Sequence, residues 1–148
     1  MAFNQGYSAY QKTNITTASQ GKLVVLLYEA AVKNLSSANA LINSEDKVNP
    51  GDIENFTKLI QKAQAIITEL QVSLDMEKGG DIAKNLMSLY IYFNGELTST
   101  IINHSKEKIE FVINMMNELL GAWKTASNSV VNAPANTSLR ESTLDITG

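Results

Sequence analysis

The chain holds one histidine, His104, no cysteine, and an acidic cluster of Asp75, Glu77 and Asp81 around the pair Gly79-Gly80. Catalysis, metal binding and phosphate binding draw on these residue types, so their spacing decides which chemistry is open. A single histidine builds neither an HExxH zinc helix nor the paired Glu-x-x-His motifs of di-iron bundles. Asp75, Glu77 and Asp81 look like a calcium loop at first sight. Counted from Asp75, however, the closing position of such a loop falls on Leu86, where a bidentate Glu is required. Gly79-Gly80 is followed by Asp81-Ile82 rather than the Lys-Ser/Thr that would hold phosphates. The acids therefore read as solvated carboxylates at a helix junction, and His104 as a residue near a helix end, where a cation suits the dipole. These residues predict a protein that is not an enzyme and needs neither metal nor cofactor.

Composition narrows the class further. At 148 residues with 44% hydrophobic side chains, the chain suits one domain with a packed core. A net charge of −3 and a pI near 5.1 argue against a nucleic-acid-binding surface. No apolar run approaches the roughly 20 residues that span a bilayer, so membrane insertion is not expected. The start, Met1-Ala2-Phe3-Asn4-Gln5-Gly6, has neither the basic nor the apolar part of a secretion signal. The lack of cysteine fits the cytosol. The expectation is a soluble cytoplasmic protein.

Helices must position whatever function there is. Residues 1–17 are polar and small apart from Phe3, Tyr7, Tyr10 and Ile15, and read as a mobile N-terminal segment. A first helix starts near Thr17 to Ser19 and shows Leu23, Leu27, Ala30, Asn34, Ala38 and Leu41 at helical spacing, with Tyr28, Ala31, Leu35 and Ile42 beside them. Its unbroken Leu23-Val-Val-Leu-Leu-Tyr28 is too apolar for one buried stripe. Asn49-Pro50-Gly51-Asp52 starts a second helix, with Asn as cap and Pro in the first turn. The stripe Ile53, Phe56, Ile60, Ala63, Ile67, Leu70 and Leu74 follows. Gly79-Gly80 supplies the stop, since glycine takes positive φ at little cost. A third helix from about Asp81 carries Ile82, Leu86, Leu89, Tyr90, Phe93, Leu97 and Ile101, with Gly95 marking either close packing or a tolerated weakness. A fourth, after Ser105, carries Ile109, Val112, Ile113, Met116, Leu119, Leu120 and Trp123. Residues 128–148 lack aromatic residues, contain Pro134 and read as a disordered tail. The fold class is all-α: an antiparallel four-helix bundle over residues 18–127.

What remains is a surplus of apolar and aromatic surface. Positions 90 and 93 share a helix face while position 92 points away from it, so Tyr90, Tyr92 and Phe93 cannot all be core. Either Tyr92 spans the core edge with its hydroxyl in water, or one of these directions is an interface.

Several stretches together carry a resemblance. Tyr7-Ser8-Ala9-Tyr10-Gln11 opens the series, followed by Thr17-Ala18-Ser19, Lys22-Leu23, Leu26-Leu27-Tyr28 and Ile67-Thr68-Glu69-Leu70. The densest part contains Leu74-Asp75, Glu77, Gly79-Gly80, Ile82-Ala83, Asn85-Leu86, Leu89-Tyr90 and Tyr92, and Trp123 closes it. In this order and spacing the chain resembles the flagellar secretion chaperone (FliS) family over roughly residues 7 to 126. Gln20 departs from the proline often found there, and Ile91 from a frequently acidic position.

The resemblance implies a cytosolic export chaperone that binds the disordered C-terminal segment of flagellin, prevents premature polymerisation and delivers the client to the type III export gate. The physics is helix-in-groove recognition coupled to folding of the client. It places client contact on Tyr7, Tyr10, Leu23, Leu27, Tyr28, Asn85, Leu86, Leu89, Tyr90 and Phe93. In the family the N-terminal segment covers a client groove when flagellin is absent, and a co-chaperone is a further possible partner. The competing expectation is a self-associating bundle without a flagellin client; as a chaperone the chain is expected to be a monomer or weak dimer.

Overall fold

A computed structural model describes residues 17–132, with side chains from residue 20 to residue 128. Four long helices follow one another: α1 (Thr17–Asn39), α2 (Ile53–Ser73), α3 (Gly80–Asn103) and α4 (Lys106–Asn132), with a 3-10 turn (Pro50–Asp52) leading into α2. No strand is formed among the described residues; Ile42 and Val48 make one isolated antiparallel bridge. Cross-helix contacts give the order. Glu29 meets Lys124 and Asn39 meets Glu110 across α1 and α4, while Gln64 meets Thr98 and Gln71 meets Met87 across α2 and α3. Rising numbers on one helix face falling numbers on the next, so the helices run up, down, up and down around a square. The expected boundaries of 1–17 and 128–148 fall largely outside the described residues; where they overlap, α1 starts at Thr17 and α4 continues to Asn132, beyond the expected end at Ser127.

Each connection is fixed by a few polar groups. After α1, Asn43 accepts backbone N–H bonds from Glu45 and Lys47 at 2.8 and 3.1 Å on its side-chain oxygen. This tight loop turns Ile42 and Val48 inward as core residues. Lys106, at the start of α4, donates to the carbonyl and side-chain oxygens of Asn39 at 3.3 and 3.1 Å, serving the orphan acceptors at the end of α1.

The α2–α3 junction differs from the expectation built on its glycines. Helix α2 already ends at Ser73, with Leu74 extended. Asp75 then organises the loop by accepting from the Glu77 and Lys78 N–H groups at 3.1 and 2.9 Å. The positive φ belongs to Gly80, at +51°, where α3 begins. A carboxylate turn therefore stops the chain before the glycines are reached, and Gly80 re-aims it into α3. Asn49, expected as a cap, makes no side-chain cap bond, and Pro50 starts the 3-10 turn instead. His104 takes the left-handed conformation that closes α3, its N–H reaching the Thr100 carbonyl at 2.7 Å. The imidazole rests edge-on to Phe56, with ring centroids 5.3 Å apart.

The core draws on all four helices. Helix α1 contributes Val24, Leu27, Tyr28, Ala31, Leu35 and Ala38; α2 contributes Phe56, Ile60, Ala63, Ile66, Ile67 and Leu70. Helix α3 adds Leu86, Tyr90, Phe93 and Leu97, and α4 adds Ile109, Val112, Met116, Leu120 and Trp123. On α1 the buried stripe lies one position round from the row through Ala30, Asn34 and Leu41, which sit half-buried at its edge. Gly95 faces open space, so close packing is not its reason. Gly21 is the glycine at a close approach: a Cβ there would lie 3.2 Å from the Ser127 hydroxyl of α4.

Candidate docking face

The aromatic residues of α3 divide as helical geometry requires. Tyr90 and Phe93 point inward and are fully buried. The Tyr90 hydroxyl lies 2.6 Å from the hydroxyl of Tyr28, across the bundle on α1. The two rings meet edge to face at 6.4 Å, and Trp123 of α4 packs on Tyr28 at 6.3 Å. Three helices are thereby tied at one level. Burial pushes the Tyr28 phenol up to about 12, opposed by hydrogen bonding with Tyr90 and with Trp123. Tyr90 is raised as well, first by burial and then by the neighbouring Tyr28. Both hydroxyls stay protonated around neutral pH, and a paired, dry position makes them part of the scaffold.

Half of the expected contact set lies in the core. Leu27, Tyr28, Leu86, Tyr90 and Phe93 are core side chains, so in this conformation they offer no surface to a partner. The reason is spacing: each lies on the stripe of its helix that faces the bundle axis, where burying a large side chain is favourable by about 1.5–3 kcal/mol. Leu23 and Leu89 are half-buried at the core margin, and Asn85 is exposed. Tyr7 and Tyr10 lie outside the described residues.

The outward side of α3 carries the surface. Tyr92 is 50% exposed and packs edge-on against Phe111 of α4, itself 43% exposed, with centroids 5.9 Å apart and planes at 87°. Ile82, Asn85, Leu89 and Tyr92 follow steps of three and four along α3, and Phe111, Met115 and Leu119 follow steps of four along α4. Both rows flank the seam that the Tyr92–Phe111 contact marks. Ile82 is exposed, while Leu89, Met115 and Leu119 are partly buried against the core. The seam between α3 and α2 is of the opposite kind. There Gln64 donates to Thr98 and to the Asn94 carbonyl at 2.9 and 3.1 Å, and Asn94 reaches Thr68 at 3.4 Å. One flank of α3 is closed by polar side chains, and the other is an apolar, aromatic face with Asn85 at its rim.

Tyr92, Ile82, Phe111 and Met115, which line this seam, are not in the expected contact set. The signal for Tyr92 was present, since position 92 points away from 90 and 93. Phe111 stands one position off the apolar row of α4. On α1, the excess apolar run resolves into Leu26, which is 61% exposed.

Among the described residues the bundle combines a packed interior with an apolar seam and holds no group of three or more metal-ligating side chains. Comparison with known proteins shows its family. The chain belongs to the FliS family, whose model, described as "Flagellar protein FliS", matches residues 3–130. It is 32% identical over 129 residues to the flagellar secretion chaperone FliS of Campylobacter jejuni, covering 87% of this chain and 96% of that one. The flagellar secretion chaperones FliS of Vibrio cholerae and Salmonella typhimurium are each 31% identical, over 78% and 82% of this chain and 83% and 90% of theirs.

Proposed function

We propose that this protein is a cytoplasmic flagellar export chaperone, not an enzyme, that binds the disordered C-terminal segment of flagellin, keeps it from polymerising and delivers it to the flagellar type III export apparatus. Membership of the family supports the chaperone role, and the observation that carries the binding reading is the apolar seam between α3 and α4. An amphipathic client helix laid along that seam would cover Ile82, Leu89, Tyr92, Phe111, Met115 and Leu119, while Asn85 is placed to hydrogen-bond backbone groups at the rim. Ordering a disordered client costs about 2–5 kcal/mol or more, so the client must wrap further than one groove and bury on the order of 2,000 Å². No described helix is long and apolar enough to cross a membrane, which accords with work in solution.

Calorimetric titration with a C-terminal flagellin fragment tests the proposal. Binding at micromolar concentration or tighter is expected, weakened more than tenfold by Leu89→Asp or Tyr92→Asp while helicity is kept. A fragment that fails to bind the parent chain at those concentrations sinks the reading. A stable dimer in light scattering with no fragment affinity would point to self-association through the same seam.

A further inference from the structure

A second surface lies at the opposite side of α4. Lys22, Val25 and Leu26 of α1 and Lys124, Ser127 and Asn128 of α4 line an open groove of about 360 Å³, where α1 and α4 approach at Gly21 and Ser127. Its walls combine apolar groups, including the exposed Leu26, with two lysines. We propose that this groove is the seat of the chain's own C-terminal segment, residues 133–148, with Leu144 and Ile146 on Val25 and Leu26 and the acids of the segment beside Lys22 and Lys124.

Reach, pattern and charge carry the inference. Helix α4 ends at Asn132, one turn past Asn128, and Leu26 lies roughly nine residues, about 14 Å, back along the helix axis. The twelve residues from Asn132 to Leu144 extend to at most about 40 Å, and an unstructured chain of that length averages roughly 20 Å end to end. The groove therefore falls within reach of the segment, at an effective concentration of the order of millimolar. Leu144 and Ile146 flank Asp145, so an extended chain turns both apolar side chains to the groove floor and the carboxylate toward its rim. Lysine stems lie along apolar surface and keep their charge at such a rim.

Charge also selects this end of the chain over the other. Residues 133–148 contain Glu141 and Asp145 against one base, Arg140, and from Glu141 onward no base, whereas residues 1–16 contain Lys12 and no acid. Two lysines in the groove favour the former and repel the latter. Glu29 already meets Lys124 at 3.3 Å, but this pair is half exposed and worth little, so a further carboxylate joins it at small cost. A groove of this size takes one or two side chains and not a helix. The inference does not depend on flagellin being the client.

The absence of native cysteine makes a direct proximity test clean. Three double variants of the full chain are oxidised at low micromolar concentration: Leu26→Cys with Ile146→Cys, Val72→Cys with Ile146→Cys, and Leu26→Cys with Phe3→Cys. Leu26 and Val72 are 61% and 72% exposed, so the bundle tolerates both changes. Val72 sits at the same end of the bundle as the end of α4, which makes it a control for simple reach. The first pair is expected to form an intramolecular disulfide at least about ten times faster than either other pair, from its higher effective concentration. Adding Lys22→Glu and Lys124→Glu should bring its rate down toward the control. Equal rates for the first two pairs, a faster Phe3 pair, or disulfide-linked dimers as the main product would each overturn the proposal.

Discussion

The buried Tyr28–Tyr90 pair permits a test in which the double substitution is not the sum of the two singles. The hydroxyls are 2.6 Å apart in a dry core, each the other's hydrogen-bond partner. Tyr28→Phe strands the Tyr90 hydroxyl and Tyr90→Phe strands the Tyr28 hydroxyl, so each single variant should lose about 1–3 kcal/mol, the cost of an unsatisfied buried polar group. The double variant strands neither, and a loss of about 1 kcal/mol or less follows. The singles together then exceed the double by roughly 1.5 kcal/mol or more, which is the coupling energy of the pair. Urea unfolding followed by far-UV circular dichroism and by the single tryptophan, Trp123, supplies both the free energies and a two-state check. Additivity within about 0.5 kcal/mol would refute the reasoning.

Three further expectations follow from the same packing. Both tyrosines ionise at higher pH folded than unfolded, Tyr28 near 12 against an ordinary 10, so their contribution is complete below pH 10 and is lost as pH rises toward 12. Stability should fall by about 1.4 kcal/mol per pH unit for each tyrosine over that window, and by about half as steeply in Tyr28→Phe, as measured by urea unfolding at stepped alkaline pH. Tyr92→Ala loses one edge-to-face contact and should cost about 1 kcal/mol, whereas Tyr90→Ala opens the core and should cost about 3–5 kcal/mol; thermal melts of the two variants separate surface from scaffold. Gly95→Ala, on an exposed turn of α3 with open space around it, should stabilise by about 0.5–1 kcal/mol through helix propensity, seen as a raised Tm.

The four helices were legible because each carries an apolar row with a step of three or four, and the α2 row from Phe56 to Leu70 is buried almost without exception. Their ends were less legible, because they depend on single polar groups acting across the chain. Nothing in the pattern near Leu74 says that the Asp75 carboxylate will turn the backbone before Gly79. Val48 lies on no helical row, and only the Asn43 loop folds it inward. The site divides in the same way. Periodicity separates Tyr92 from Tyr90 and Phe93, but it does not say which direction is inside. That depends on which row of α3 meets Tyr28 and Trp123, a tertiary fact. The resemblance places contact on α1 and α3, and packing shows which of the named side chains are buried within them.

Under the proposed docking on the α3–α4 seam, the buried aromatics have a physical role. A face that must order a disordered client gains most when it is itself rigid, since every side chain immobilised on binding costs about 0.5–1.5 kcal/mol. Helix α3 is held on its α2 flank by Gln64, Thr68, Asn94 and Thr98, and through the bundle by Tyr90 on Tyr28. These contacts fix its rotation, and rotation determines whether Ile82, Leu89 and Tyr92 lie beside Phe111 or turn away from it. A helix turn of 100° per residue leaves little tolerance: a small rotation would carry Tyr92 off Phe111 and break the seam. On this reading the polar α2–α3 seam and the tyrosine pair are why the apolar seam exists as one continuous surface. Tyr28→Phe should therefore weaken client binding without touching the client, and restoring global stability with Gly95→Ala should recover the melting temperature but not the affinity.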